Sequence, residues 1–259
     1  MNEHIIEDAF NNISNYLNDP LLKEKVKNAT YEILKSLEDG SVRVVNKSKD
    51  GWYVNEYAKK ALSLFLKFSD RMKIDAGYTS WNDKVPLKQL SSFEGARVVP
   101  GAVVRFGAYI SPKAVLCPCF VNIGAYIDDN SMIDSFTTIG SSAYIGKNCH
   151  ISEGVCIGGV LEPVNATPVI IEDNCFVGAK AVIAEGVIVK QNSIIAASTT
   201  LTKSTKIIMR DTNEIIHGYV PENSLIVPGS YKISDNLNIN CAIAMNREKH
   251  KEIINELLR

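Results

Sequence analysis

The 259-residue sequence lacks any apolar run approaching the eighteen or more residues that a membrane-spanning helix requires. It lacks an excess of either charge. The 28 Lys and Arg oppose 29 Asp and Glu for a formal net charge of −1, which argues against a general polyanion binder and leaves room only for local basic patches. Neither a nucleic acid nor a membrane is therefore an expected partner. The start, Met1-Asn2-Glu3-His4-Ile5-Ile6-Glu7-Asp8, has no basic segment ahead of an apolar one and does not read as a secretion signal, so the expected compartment is the cytoplasm. Cysteine is scarce and unpatterned: Cys117, Cys119, Cys149, Cys156, Cys175 and Cys241 include no C-x-x-C pair. Cys117-Pro118-Cys119 has no second pair at zinc-finger spacing, so reduced thiols are expected and no metal site. With 46% hydrophobic residues the chain is too apolar for disorder and has material for one or two domains.

What the middle of the chain does have is a period of six. Large aliphatic residues recur at Val98, Val104, Ile110 and Leu116, slip by one place, and resume at Val121, Ile127, Ile133, Ile139, Ile145, Ile151 and Ile157. After a break from Gly158 to Ile170 they continue at Ile171, Val177, Ile183, Val189, Ile195, Leu201 and Ile207. Four places after most of them stands a small residue, such as Ala108, Ala125, Ser131, Cys149, Ala181 or Ser193, with Phe120, Val155 and Val187 as larger exceptions. This spacing fits neither a helix nor an alternating strand. It predicts a mainly β protein, a parallel β-helix in which each hexad gives a short strand and a corner, the aliphatic residue points inward and the small one fits near the corner. Three hexads per coil give about six coils over residues 95–208. An all-β sandwich is the competing fold and does not explain two columns kept in phase.

Residues 1–94 read as a mostly helical N-terminal domain. Helical spacing is clearest over 21–37 and 56–68, with a hairpin between them whose strands Val42–Val45 and Trp52–Val54 flank a polar turn over 46–51. Residues 209–259 read as β segments around Leu225–Val227 and Cys241–Ala244, with a hairpin turn at 210–214 and a closing helix over 248–258. Such segments are expected to cap the open end of the solenoid.

Several stretches resemble the tetrahydrodipicolinate N-succinyltransferase family: Val121-Asn122-Ile123-Gly124-Ala125-Tyr126-Ile127-Asp128, Ile157-Gly158-Gly159-Val160-Leu161-Glu162-Pro163, and Ile170-Ile171-Glu172-Asp173-Asn174-Cys175-Phe176-Val177-Gly178-Ala179. Trp52 with Lys59-Lys60-Ala61, Asp83-Lys84-Val85-Pro86 and the terminal Ile254-Asn255-Glu256-Leu257-Leu258-Arg259 extend the resemblance over nearly the whole chain. It implies a left-handed β-helix assembled as a homotrimer with sites between neighbouring prisms. It also implies transfer of succinyl from succinyl-CoA, a co-substrate rather than a resident cofactor, to the amino group of ring-opened tetrahydrodipicolinate in the diaminopimelate route to lysine. Amine attack on a thioester needs a proton acceptor, and two substrate carboxylates need cations or N–H donors.

By this resemblance Arg105 holds a substrate carboxylate, a task suited to a guanidinium fork, and Asp134 in Ile133-Asp134-Ser135-Phe136 is the active-site aspartate that binds the acceptor and handles its amine. The second and seventh hexads that carry them are five steps apart, so in a three-faced prism they leave different faces, and the site is expected to be intersubunit. The family's second catalytic glutamate falls on Val182, which moves no proton; Glu153 and Glu185 are the candidate helpers. Gly158, Gly159, Gly178 and Ala179 are candidates for contact with the pantetheine arm, and Lys203 and Lys206 for the coenzyme A phosphates. The break over 158–170 is expected to project and to cover a neighbour's site. Two rivals stand beside this reading: an acyltransferase with another donor or acceptor that uses His150 as base, and a non-catalytic scaffold, favoured only by Val182.

Overall fold

Each six-residue step becomes one short strand and one corner in the computed structural model, which describes residues 2–250 except Ala76 and Tyr78. Every aliphatic residue from Val98 to Leu201 in the series closes a two-residue strand, and successive strands fall in turn on three parallel sheets. The first face stacks Arg97–Val98, Val115–Leu116, Met132–Ile133, His150–Ile151, Phe176–Val177 and Ile194–Ile195. The second stacks Val103–Val104, Phe120–Val121, Thr138–Ile139, Cys156–Ile157, Val182–Ile183 and Thr200–Leu201. The third stacks Tyr109–Ile110, Tyr126–Ile127, Tyr144–Ile145, Ile170–Ile171, Ile188–Val189 and Tyr219–Val220.

The aliphatic columns meet inside the prism: Leu116, Val121, Ile127, Ile133, Ile139, Ile145, Ile151 and Ile157 are all fully buried. Inward polar residues are satisfied by the coils around them, as where Ser131 Oγ donates to Gly146 O at 2.6 Å and Thr137 Oγ1 to Ser152 O at 2.8 Å. Two details correct the periodic reading. At the slip it is Cys119 that turns inward, while Phe120 faces out on the second face, because the corner has lost one residue. At the far end Ile207 leaves the stack: Ile207–Met209 pairs antiparallel with Ile215–Ile216, and Tyr219–Val220 fills the vacated third-face slot.

One corner carries a feature that the periodic reading missed. Asn130, Asn148, Asn174, Asn192 and Asn223 occupy the turn between third and first faces, all at positive φ, and each Nδ2 except that of Asn223 donates to the next Oδ1 at 3.1 or 3.2 Å. Asn tolerates the left-handed region better than other residues with a Cβ, and its amide both donates and accepts, so a ladder can run up the corner.

In the N-terminal region α1 (Asn2–Asn11), α2 (Ile13–Asn18), α3 (Pro20–Glu38) and α4 (Glu56–Phe68) form a small bundle. Asp19 caps α3 by accepting from Leu21 N and Leu22 N, with Pro20 in the first turn. Leu34, Leu37, Leu62 and Phe65 pack on Phe106 and Ile123 at the corner between second and third faces. Gly124, at φ +74, admits this contact, since a Cβ there would lie 2.6 Å from Leu62 Cδ1.

The hairpin of β1 (Val45–Ser48) and β2 (Gly51–Val54) corrects the sequence reading: its first strand starts at Val45, three residues later than Val42, and its turn is reduced to Lys49-Asp50. Its polar residues are strand residues with partners: Lys47 Nζ and Trp52 Nε1 both donate to Glu172 Oε1 at 2.7 Å. With Arg43 stacked on Tyr126 and Trp52 against Tyr144, this segment covers part of the third face. A second hairpin, β3 (Met72–Asp75) and β4 (Ser80–Asp83), was not expected.

The long strands Ser224–Ser234 and Leu237–Asn246 close the upper end as an antiparallel pair. The helix expected over 248–258 and the terminal motif lie mostly outside the described residues. No described helix is long and apolar enough to cross a membrane.

Candidate active site

Asp134 follows the first-face strand Met132–Ile133 and therefore stands at the corner between the first and second faces. Its Oδ1 accepts from Ser135 N at 2.7 Å, which fixes the carboxylate and leaves Oδ2 turned toward His150, whose Nε2 lies 3.6 Å away. That nitrogen is enclosed and has no hydrogen-bond partner, while the ring meets Phe176 edge-on at 5.3 Å. Below Asp134, burial and the adjacent carboxylate push the Cys117 thiol up, so Cys117 stays protonated. Phe136, two residues on, holds φ +58 and is 75% exposed. An aromatic side chain in the left-handed region, turned to solvent beside an aspartate, is a local cost without a packing reward. The sequence offered it only as part of a motif.

Glu153 shares this corner one coil higher and sits 3.4 Å from Lys180 Nζ. Gly178 and Ala179 follow on the same corner after Phe176–Val177. Val182 faces outward on the second face between Cys156 and Thr200.

Arg105 stands at the other edge of the second face, after Val103–Val104. It is two coils below Asp134, or roughly 10 Å along the axis at the usual strand spacing. Its Nη1 donates to Asn122 Oδ1 at 2.9 Å and its Nη2 to Asp83 Oδ2 at 2.6 Å. Gly158, Gly159, Glu185 and Lys203 belong to this corner too. The structure thus splits the candidates between two corners of one prism. Glu185 is not beside Asp134 in the same chain; its Oε2 instead accepts from Lys203 N at 3.2 Å. Lys206 lies beyond the stack, with its ammonium 5.4 Å from the Tyr231 ring centroid.

Three of the glycines have a packing reason of their own. A Cβ on Gly158 would lie 2.9 Å from Ala184 Cβ, one on Gly159 2.5 Å from Ser141 N, and one on Gly178 2.5 Å from Ala197 N. The segment over 158–170 also departs from expectation: it does not project freely but folds back on α4 of its own chain. The fully buried Lys59 donates from Nζ to Pro163 O at 3.0 Å and to Ala166 O at 2.7 Å, and Ser63 bonds Glu162. The carbonyls of the segment needed a donor, and the interior lysine of α4 supplies it. Among the described residues no group of three or more His, Cys, Asp or Glu side chains is placed to hold a metal ion, and the six cysteines are free thiols.

Comparison with known proteins fits this architecture region by region. Residues 2–68 match the family model for the tetrahydrodipicolinate N-succinyltransferase N-terminal region. Residues 124–159 match bacterial transferase hexapeptide (six repeats), and 168–203 match the hexapeptide repeat of succinyl-transferase. A 2,3,4,5-tetrahydropyridine-2,6-dicarboxylate N-succinyltransferase of Coxiella burnetii is 47% identical over 98% of this chain and 97% of its own. The protein of the same name from Ehrlichia ruminantium is 49% identical over 99% of this chain and 95% of its own. A solved Campylobacter jejuni structure, described only provisionally as a 2,3,4,5-tetrahydropyridine-2-carboxylate N-succinyltransferase, superposes with a TM-score of 0.57. At 20% identity, covering 85% of this chain and 63% of that one, it speaks for the fold alone. Near-half identity along both the helical region and the solenoid leaves one conclusion: the chain belongs to the 2,3,4,5-tetrahydropyridine-2,6-dicarboxylate N-succinyltransferase family.

Proposed function

We propose that this chain transfers the succinyl group of succinyl-CoA to the amino group of ring-opened tetrahydrodipicolinate, giving N-succinyl-2-amino-6-oxopimelate and free coenzyme A. The observation that carries this reading is the 47% identity sustained over 98% of the chain. Asp134 binds the acceptor and takes its proton as the nitrogen attacks the thioester carbonyl; the C–N bond forms, the C–S bond breaks, and the thiolate leaves to be protonated. A carboxylate with one oxygen fixed by Ser135 N and the other turned toward His150 Nε2 at 3.6 Å is suited to this. Arg105 binds one acceptor carboxylate, and Lys203 with Lys206 pairs the phosphates of the donor. Gly178 and Ala179 at one corner, and Gly158 and Gly159 at the other, flank the pantetheine arm. Glu153 or, from a neighbouring chain, Glu185 assists in place of Val182. The enzyme works in the cytoplasm on small molecules.

The placement of Arg105 and Asp134 at opposite edges of one face supports a homotrimer in which each site joins one chain's Asp134 corner to its neighbour's Arg105 corner. Co-assembled Arg105→Ala and Asp134→Ala chains then recover part of the activity that each has lost. Strict absence of complementation counts against the shared site. The reaction itself is tested by thiol release from succinyl-CoA in the presence of tetrahydrodipicolinate; a folded protein that releases none above background overturns the assignment.

The enclosed, unpartnered His150 Nε2 favours a second reading, in which His150 rather than Asp134 takes the proton. His150→Gln then abolishes turnover as fully as Asp134→Asn. A loss below about tenfold leaves the role with Asp134.

A further inference from the structure

We infer that Asp83 is a positioning residue for acceptor recognition: with Asn122 it holds the Arg105 guanidinium in the orientation that receives a substrate carboxylate. The inference rests on the role given to Arg105 above.

Asp83 is the last residue of β4, where an exposed hairpin ends and a firmly docked segment begins. Lys84 Nζ donates to Leu66 O at 2.9 Å near the end of α4, and Val85 is fully buried. Phe106 N donates to Pro86 O and Lys88 N to Val104 O, both at 2.8 Å, so the segment is bonded to residues on both sides of Arg105. The Asp83 carboxylate is itself aimed: Oδ1 accepts from Lys84 N at 2.7 Å, and Oδ2 accepts from Arg105 Nη2 at 2.6 Å. From the coil above, Asn122 Oδ1 takes Arg105 Nη1 at 2.9 Å while also accepting from Ile123 N at 2.9 Å.

The fork is thus gripped at both terminal nitrogens by acceptors that are held by backbone. Two of its five N–H groups are committed to Asn122 and Asp83, which leaves three outside these bonds. A free arginine samples many rotamers, so a fork fixed before the substrate arrives loses less on binding. The ion pair is half-buried, with the Arg105 side chain 17% and that of Asp83 43% exposed, while β3 and β4 are mostly exposed and add little to the core. The effect of the pair is local to Arg105.

Steady-state kinetics of the full-length enzyme test this with Asp83→Ala, Asp83→Asn, Arg105→Ala and the Asp83→Ala/Arg105→Ala double variant. Asp83→Ala is expected to raise the acceptor KM about tenfold, with kcat within about twofold and the succinyl-CoA KM unchanged. Asp83→Asn, which keeps an acceptor oxygen, restores part of the loss. The double variant performs no worse than Arg105→Ala alone, because Asp83 acts only through the arginine. A lower acceptor KM for Asp83→Ala identifies Asp83 as a competitor that substrate displaces and overturns the inference; so does an unchanged KM or an additive double variant. If Arg105→Ala leaves the acceptor KM unchanged, the carboxylate role of Arg105 fails and this inference falls with it. If Arg105→Ala raises KM and Asp83→Ala does not, only the positioning role fails.

Discussion

Two corners of the same prism are built on opposite plans. Between the third and first faces the turn position repeats asparagine five times, and every amide but the last donates to the next. Between the first and second faces the corresponding positions include Phe136, Gly154, Lys180 and Ser198, with Asp134 and Glu153 close by and no ladder joining them. A solenoid coil imposes one backbone geometry on every repeat, so a corner with no other task can converge on the residue that best satisfies it. A corner that departs from this choice in every coil gives up local stability, and departures of this kind gather where chemistry is done.

The largest effect that tests this contrast is at Asp134. Asp134→Asn keeps the shape and is expected to lower kcat at least about 100-fold by thiol-release assay, with the unfolding midpoint unmoved. A fall in stability of similar weight would make Asp134 a structural corner residue. The converse holds for the ladder. Asn174→Ala removes two amide contacts and leaves a methyl group at φ +59, so urea unfolding is expected to show a loss of about 1–2 kcal/mol, with kcat per folded chain unchanged. A smaller change of opposite sign is expected at Phe136: replacement by Gly relieves φ +58 and gains up to about 1 kcal/mol. If activity survives that change intact, the exposed ring has no part in the site.

The smallest effect is set by pH at the ladder corner. Burial raises the Glu172 pKa, but Lys47, Trp52 and Gln191 N outweigh it and hold the carboxyl below its usual 4.5. A depressed carboxyl pKa stabilises the fold above the unfolded-state value and ceases to do so as pH falls through the folded-state value. The stability gap between the native chain and Glu172→Gln is therefore expected at pH 7 and should close below pH 4.5, as read by paired urea midpoints. A gap independent of pH assigns the effect to packing.

Much of the solenoid was legible because a prism interior has room for one aliphatic column and one small column on each corner, and any other spacing breaks both. Helix α4 appeared at its observed limits for a similar reason, its apolar stripe having a single period. What sequence could not supply was the identity of partners far along the chain. Lys47 sits in a polar run that reads as a turn, yet it is a strand residue paired with Glu172. Arg105 reads as a free cation until Asp83 is seen against it. The fold-back of the 158–170 segment depends on Lys59, a lysine whose burial no local pattern announces. The asparagine ladder was readable, since Asn130 and Asn148, and again Asn174 and Asn192, stand one coil apart, but attention to aliphatic residues passes over it.

The antiparallel pair at the upper end has a consequence for how the molecule keeps to itself. A stack of parallel strands is a template that any identical stack can extend, and end-to-end growth would turn a soluble prism into a fibre. Here the last first-face strand, Ser224–Ser234, spends its outer edge on Leu237–Asn246, which runs the opposite way and bonds in turn to Ile207–Met209. At the lower end the edge beside Val104 is taken by Lys88 N. Growth along the axis is thereby blocked on the first face at the top and obstructed beside Val104 at the bottom, which favours the sides, where Asp134 and Arg105 lie, as the surfaces for a second copy.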